Sequence, residues 1–135
     1  MPPLKTYLIE DSPLIRESLI AMLEDLAEVE VVGTAQDEGA AVQWLTNPAN
    51  HADLVIVDVF LKTGSGLGVL RNTGEATKYT SKVVLTNYAT DDMKLKCRAL
   101  GANEVFDKSN DIDALIAYCS RLSHSEMDTT RPGGL

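Results

Sequence analysis

Five side chains in this sequence are of types that could do chemistry together: Glu10, Asp11, Asp58, Thr86 and Lys108. Each follows an apolar run. Thr6-Tyr7-Leu8-Ile9 precedes the acidic pair, Leu54-Val55-Ile56-Val57 precedes Asp58, and Val83-Val84-Leu85 precedes Thr86. Glu104-Val105-Phe106 stands shortly before Lys108. Three carboxylates packed close together repel one another, which raises at least one pKa unless a cation sits among them. Oxygen ligands with room for water suit Mg²⁺ better than a softer metal. An ammonium and a hydroxyl beside them make a place for a dianion. The chemistry this set favours is transfer of a phosphoryl group onto Asp58 as a covalent intermediate. Alone, Asp58 would more ordinarily cap a turn; the other four residues change that balance.

The elements that must deliver these groups are legible in outline. Leu54 to Val57 offers no polar face, as expected for a strand buried on both sides of a parallel sheet. Ser12-Pro13 starts the first helix, with Ser12 as N-cap and Pro13 in the first turn. Ile15, Leu19, Met22, Leu23 and Leu26 recur at helical spacing and predict one apolar stripe. Glu30 to Gly33 reads as a short edge strand and Ala40 to Leu45 as a short helix. A helix follows over Leu67 to Asn72 and a strand over Lys82 to Thr86. Asp91 or Asp92 caps the next helix, which Gly101 terminates. A fifth strand, Glu104 to Phe106, leads to a last helix over Ile112 to Leu122. Five βα units without long gaps predict an α/β fold, a doubly wound parallel sheet with helices on both faces. Its strand ends meet along one rim, where open α/β sheets bind ligands.

The bulk numbers exclude several function classes. A chain of 135 residues is one domain with a full core. A net charge of -8 argues against nucleic acid and against anionic membrane surfaces. Cys97 and Cys119 do not resemble a zinc site or a disulfide framework, which fits a reducing cytoplasm. No apolar run approaches the ~20 residues of a membrane span, and the start of the chain does not read as a signal peptide. Residues 123–135 are polar and predict a disordered tail after a domain over 1–122.

With its order of groups, the chain resembles the receiver domains of two-component response regulators over roughly residues 5–122. Glu10-Asp11 matches the metal-binding pair, Asp58 the phosphoacceptor and Gly66 the loop glycine. Thr86 matches the hydroxyl residue after the fourth strand, and Lys108 the lysine after the fifth. The resemblance implies a flavodoxin-like (βα)₅ fold with strand order 2-1-3-4-5. It implies that Asp11, Asp58 and the backbone carbonyl of Phe60 ligate Mg²⁺, with Glu10 acting through water. Asp58 would accept the phosphoryl group from a histidine kinase or phosphotransfer protein. Lys108 and Thr86 would hold the phosphoryl oxygens, and a surface of helix four, strand five and helix five would contact a downstream effector.

Three positions depart from the family pattern. Val105 stands where an aromatic switch residue is usual, and Phe106 beside it must point to the opposite face. Ser109 replaces the proline after Lys108, where a cis bond would cost about 2.5–4 kcal/mol. Lys62 replaces a loop proline four residues after Asp58. The expected function is a single-domain response regulator, with no enzyme activity beyond accepting and slowly hydrolysing its own phosphoryl group. The alternatives are a phosphorylation-independent interaction module and the receiver part of a longer regulator. A phosphatase of similar topology fits less well, since Phe60 stands where its second aspartate would be. Gly64-Ser65-Gly66-Leu67-Gly68 lacks the third small residue of a dinucleotide loop, because position 69 is Val69. His51 and His124 read as loop and tail residues without a role, and Trp44 as core or half-exposed.

Overall fold

A computed structural model describes residues 3–129, with side chains described as far as His124. The strands are β1 (Leu4–Ile9), β2 (Val29–Ala35), β3 (Leu54–Val57), β4 (Ser81–Thr86) and β5 (Glu104–Asp107). They alternate with α1 (Pro13–Leu26), α2 (Glu38–Leu45), α3 (Gly66–Asn72), α4 (Asp91–Ala99) and α5 (Ile112–Thr129). All pairings are parallel, in the order β2-β1-β3-β4-β5. This is the doubly wound, flavodoxin-like arrangement that the alternation and the resemblance implied.

The two-residue period of the strands sorts the core into two layers. Val55 and Val57 join Tyr7, Ile9, Val84 and Val105 in the layer that includes Ala41 of α2, Leu70 of α3 and Cys97 of α4. Leu54 and Ile56 join Leu4, Leu8, Val83 and Phe106 in the layer that includes Leu19 of α1 and Leu115 of α5. All four residues of β3 are buried, as their unbroken apolar run requires. Trp44 lies half-buried, stacked on Tyr7 at 4.1 Å. Burial, and next the nearby Asp37 carboxylate, push the Tyr7 phenol up to about 12. Cys97 and Cys119 are buried free thiols in opposite layers.

Several local expectations change. The cap of α4 is Thr90, whose hydroxyl accepts from the Met93 amide, while Asp91 and Asp92 fall in the first turn. There they still favour the positive end of the helix dipole. The apolar stripe of α1 is narrower than its spacing implies: Leu19 and Leu23 are buried, whereas Ile15 and Leu26 are exposed. Helix α5 continues past Leu122 to Thr129, so a tail without secondary structure does not begin at Ser123. Ser123 itself is buried. Residues 130–135 of the expected disordered tail lie outside the described residues. Among the described residues no helix is long and apolar enough to cross a membrane.

Lys82 is an unanticipated buried cation, 7% exposed at the start of β4. Its Nζ donates to Thr77 O at 3.0 Å and to Thr77 Oγ1 at 3.3 Å. Burial lowers its pKa from the ordinary 10.5. The folded protein thus binds this proton less well than the unfolded chain, so the penalty is full below the lowered pKa and vanishes as pH rises through 10.5. Thr77 O also accepts from the Thr80 amide, so it keeps a partner without the lysine. Lys82→Met is expected to stabilise the fold by about 1 kcal/mol near neutral pH. Urea denaturation at neutral and alkaline pH checks this, because the gain should shrink as pH rises. A variant less stable than wild type at neutral pH contradicts it.

Candidate functional site

The parallel register brings the carboxyl ends of β1, β3, β4 and β5 to one rim. The Asp58 amide continues the ladder by donating to Ile9 O at 3.0 Å, and the Lys108 amide does the same to Thr86 O at 3.0 Å. Asp58 therefore leaves a strand that is immobilised on both faces. Ser12 starts α1 directly after the acidic pair, its hydroxyl accepting from the Ile15 amide. This abrupt strand-to-helix turn aims Glu10 back into the site, where the Ser12 amide donates to Glu10 Oε2 at 3.1 Å.

Lys108 is the hub. Its Nζ donates to Glu10 Oε1 at 2.6 Å and to Asp58 Oδ2 at 2.8 Å. Glu10 is 2% and Asp58 7% exposed, so these are charge-assisted bonds in a largely desolvated place. Burial raises the Glu10 pKa, and the Asp58 charge adds to this, against the lowering effect of Lys108 and the Ser12 amide. Burial alone would lower the Lys108 pKa, but the two carboxylates outweigh it and hold the ammonium above its usual range.

Asp11 completes the acidic group: one carboxylate oxygen from each of Glu10, Asp11 and Asp58 lies within 4.8 Å of the others. Three carboxylates then face one ammonium, leaving a surplus of two negative charges that a divalent cation would neutralise. Hard oxygen donors around so small a gap fit a hard cation such as Mg²⁺. Asp11 is partly exposed, which leaves that side of the gap open to water.

Thr86 reaches the rim as its spacing implied. It is fully buried, and its Oγ1 accepts from the Tyr88 amide at 3.2 Å rather than meeting the carboxylates. Phe60 donates its amide to Asp58 Oδ1 at 3.3 Å. Its exposed ring meets the exposed Tyr88 edge-on, with centroids 5.0 Å apart, above the ends of β3 and β4. Gly66 is required by close approach, since a Cβ there would fall 2.2 Å from Asp58 O.

Two of the departures from the family pattern acquire a reason. The Lys62 amide donates to Asp11 Oδ2 at 3.0 Å, and the Ser109 amide donates to Asp107 Oδ1 at 2.7 Å. Proline has no N–H for either bond. No peptide bond among the described residues is cis. Val105 is buried in the layer of α2 to α4, while Phe106 points to the opposite layer and meets Tyr118 edge-on at 5.8 Å. Phe106 does not take the place of an aromatic at 105.

Residues that spacing did not single out also shape the site. Arg16 Nη1 donates to Glu10 O at 2.9 Å, tying the first turn of α1 to the end of β1. The signal for it was a basic residue one turn beyond the acidic pair. For the Lys62 amide the sequence offered only the absence of proline at that position, which leaves the N–H free without saying what it meets.

Comparison with known proteins agrees with this geometry. The sequence matches the response regulator receiver domain over residues 7–120. It is 28% identical over 99 residues to the DNA-binding transcriptional activator DevR/DosR of Mycobacterium tuberculosis, covering 73% of this chain and 45% of that protein. It is 33% identical over 108 residues to protein-glutamate methylesterase/protein-glutamine glutaminase 5 of Anaeromyxobacter dehalogenans, covering 78% and 29%. The chain thus spans less than half the length of these relatives. The fold is similar to the Francisella response regulator 1452 receiver domain, with a TM-score of 0.79 and 18% identity, covering 91% of this chain and 98% of that one. With a matching sequence, the expected sheet order and an acidic cluster at the strand ends, the chain belongs to the response regulator receiver domain family, whose members are phosphoacceptor modules rather than classical enzymes.

Proposed function

We propose that Asp58 is the phosphoacceptor of this receiver, with Mg²⁺ held by Asp11, Asp58 and the carbonyl of Phe60, and by Glu10 through water. The observation that carries this is Lys108 bound at once to Glu10 and Asp58, beside a third carboxylate. A carboxylate oxygen of Asp58 attacks the phosphorus of a phosphohistidine on a kinase or phosphotransfer protein. The O–P bond forms, the P–N bond breaks, and the imidazole keeps the electron pair and is protonated. Bound Mg²⁺ supplies charge neutralisation at the entering oxygens. Lys108 releases one carboxylate to meet a phosphoryl oxygen. The buried Thr86 hydroxyl, now accepting from the Tyr88 amide, turns to donate to another. That exchange couples the site to the β4–α4 loop, and so to a surface of α4, β5 and α5 that an effector protein reads.

This reading concerns the receiver unit, whether it acts alone in the cytoplasm or within a longer regulator. Incubation with Mg²⁺ and acetyl phosphate, followed by mapping of the modified residue, tests it. A second reading, interaction without phosphorylation, draws on one feature: Val105 packs into the core with no ring to swing toward the site.

Mg²⁺ titration followed by backbone amide resonances is expected to shift residues at the ends of β1 and β3. Asp11→Ala should weaken binding about tenfold or more, because it removes a partly exposed carboxylate ligand. Glu10→Gln should weaken it less. Shifts confined to α1 or α5 would contradict the metal assignment.

A further inference from the structure

The glycine-rich stretch that resembles a nucleotide loop holds a side chain of this protein instead. Glu38, the first residue of α2, reaches across to α3, meeting its N-cap and its last residue. Its Oε1 accepts from the Ser65 amide at 3.0 Å and its Oε2 accepts from Asn72 Nδ2 at 3.1 Å. The Glu38 amide in turn donates to Thr63 O at 3.2 Å. One residue thus grips the β3–α3 loop at two backbone points.

The glycines make the seat. A Cβ at Gly68 would fall 2.3 Å from Glu38 Oε1, and one at Gly64 would fall 2.4 Å from Glu38 Cβ. Gly64 also has φ +77, which side-chain-bearing residues rarely adopt. The gripped loop is the one that leaves Asp58. Phe60 and Ser65 bridge across it, the Gly66 amide donates to Val59 O at 2.8 Å, and between them the Lys62 amide holds Asp11 Oδ2. Glu38 therefore ties one side of the loop while Asp11 is tied to the other.

We propose that Glu38 is a positioning residue for the phosphoryl-transfer site: by latching the β3–α3 loop to α2 it fixes the Lys62 amide, and through it the orientation of the Asp11 carboxylate. The proposal rests on the reading of Glu10, Asp11 and Asp58 as the metal site. Glu38 touches neither the metal nor the phosphoryl group. Its carboxylate acts through backbone, so a residue that keeps one carbonyl oxygen for the Ser65 amide should serve in its place.

Three variants test this: Glu38→Ala, Glu38→Gln and Gly68→Ala. The first removes the latch, the second keeps an acceptor, and the third expels the carboxylate from its seat without removing its charge. The measurements are amide hydrogen exchange of Lys62 and Ser65 in metal-free protein, Mg²⁺ affinity by titration, and thermal midpoint. In Glu38→Ala and Gly68→Ala, both amides should exchange faster and Mg²⁺ should bind roughly threefold to tenfold more weakly, the effect of about one charge-assisted hydrogen bond at most. Glu38→Gln should stay near wild type, and the Glu38→Ala/Gly68→Ala double variant should be no worse than Glu38→Ala alone. Variants that lower only the thermal midpoint, with exchange at Lys62 and Mg²⁺ affinity unchanged, would overturn the latch. A wild type with no Mg²⁺ response would overturn the reading of the site and this proposal with it.

Discussion

Asp58→Asn is expected to abolish labelling by acetyl phosphate, to below about one-hundredth of the wild-type level. The reason is chemical: an amide is not a nucleophile toward phosphorus at neutral pH, and a carboxylate held beside a cation is. The reason that no neighbour substitutes is structural. Glu10 is 2% exposed against 7% for Asp58, and its oxygens accept at 2.6 Å from Lys108 and 3.1 Å from the Ser12 amide, whereas Asp58 Oδ1 is held only by the longer 3.3 Å bond from Phe60. Asp11 is more open, but its Oδ2 is turned to the Lys62 amide of the β3–α3 loop. The same substitution gives a second readout. The Asp58 charge is one cause of the raised Glu10 pKa, although burial is the larger one. Without that charge Glu10 should titrate at lower pH, which carboxyl-carbon NMR would record. Full labelling of Asp58→Asn would remove the assignment, and an unchanged Glu10 titration would remove the electrostatic account of the cluster.

Lys108→Met should have the largest effect on stability. It leaves Glu10 and Asp58 buried with no cation between them, and breaking such a pair by removing one partner costs about 3 kcal/mol or more. The pH dependence has a defined sign. Glu10, already raised above the ordinary 4.5, loses the Lys108 hydrogen bond and charge that hold it down, so its pKa rises further. A carboxyl group whose folded pKa is raised contributes stability below its unfolded pKa and loses it as pH rises through the folded value. The variant's deficit should therefore shrink as pH falls toward 4.5. In the wild type, Lys108 shows the same sign in a more alkaline window: its raised pKa contributes stability below 10.5 that is lost as pH climbs above that value.

Mg²⁺ separates the structural and signalling roles of the same lysine. With the competing ammonium gone, the cluster gains one net negative charge, so Mg²⁺ should bind Lys108→Met more tightly and restore part of the lost stability by mass action. Labelling of Asp58 should remain detectable, since the nucleophile and its metal ligands are intact. Binding of an effector should no longer respond to labelling, because the phosphoryl group has lost the cation that would draw it toward β5. Denaturation curves with and without Mg²⁺ at several pH values check the first part. A variant as stable as wild type without metal would mean that Lys108 contributes nothing to the cluster's balance.

Local and periodic features were legible in the chain itself. The unbroken apolar run of β3, the Ser12-Pro13 start of α1 and the five βα alternations each follow from backbone rules acting over a few residues. They were enough to place Glu10, Asp11, Asp58, Thr86 and Lys108 on one rim, because parallel strands align their carboxyl ends whatever the loops do. From the sequence, the cap of α4 falls at Asp91 or Asp92, one or two residues late, because Thr90, Asp91 and Asp92 are all competent caps and only the backbone path distinguishes them.

What tertiary structure alone decided lies in contacts between distant segments. Glu38 and Ser65 are 27 residues apart, Asp11 and Lys62 51, and Glu10 and Lys108 98. Two of these three bonds end on backbone amides, which every residue but proline carries and which leave no mark in a sequence. The burial of Lys82 and the exposure of Ile15 and Leu26 belong here too, since the same side chains would satisfy either environment until their helices and strands are docked. The sequence by itself thus determined which chemical groups reach the rim. The docking of α2 against the β3–α3 loop decided how they are held, because a hydrogen bond depends on a few tenths of an ångström that no residue type specifies.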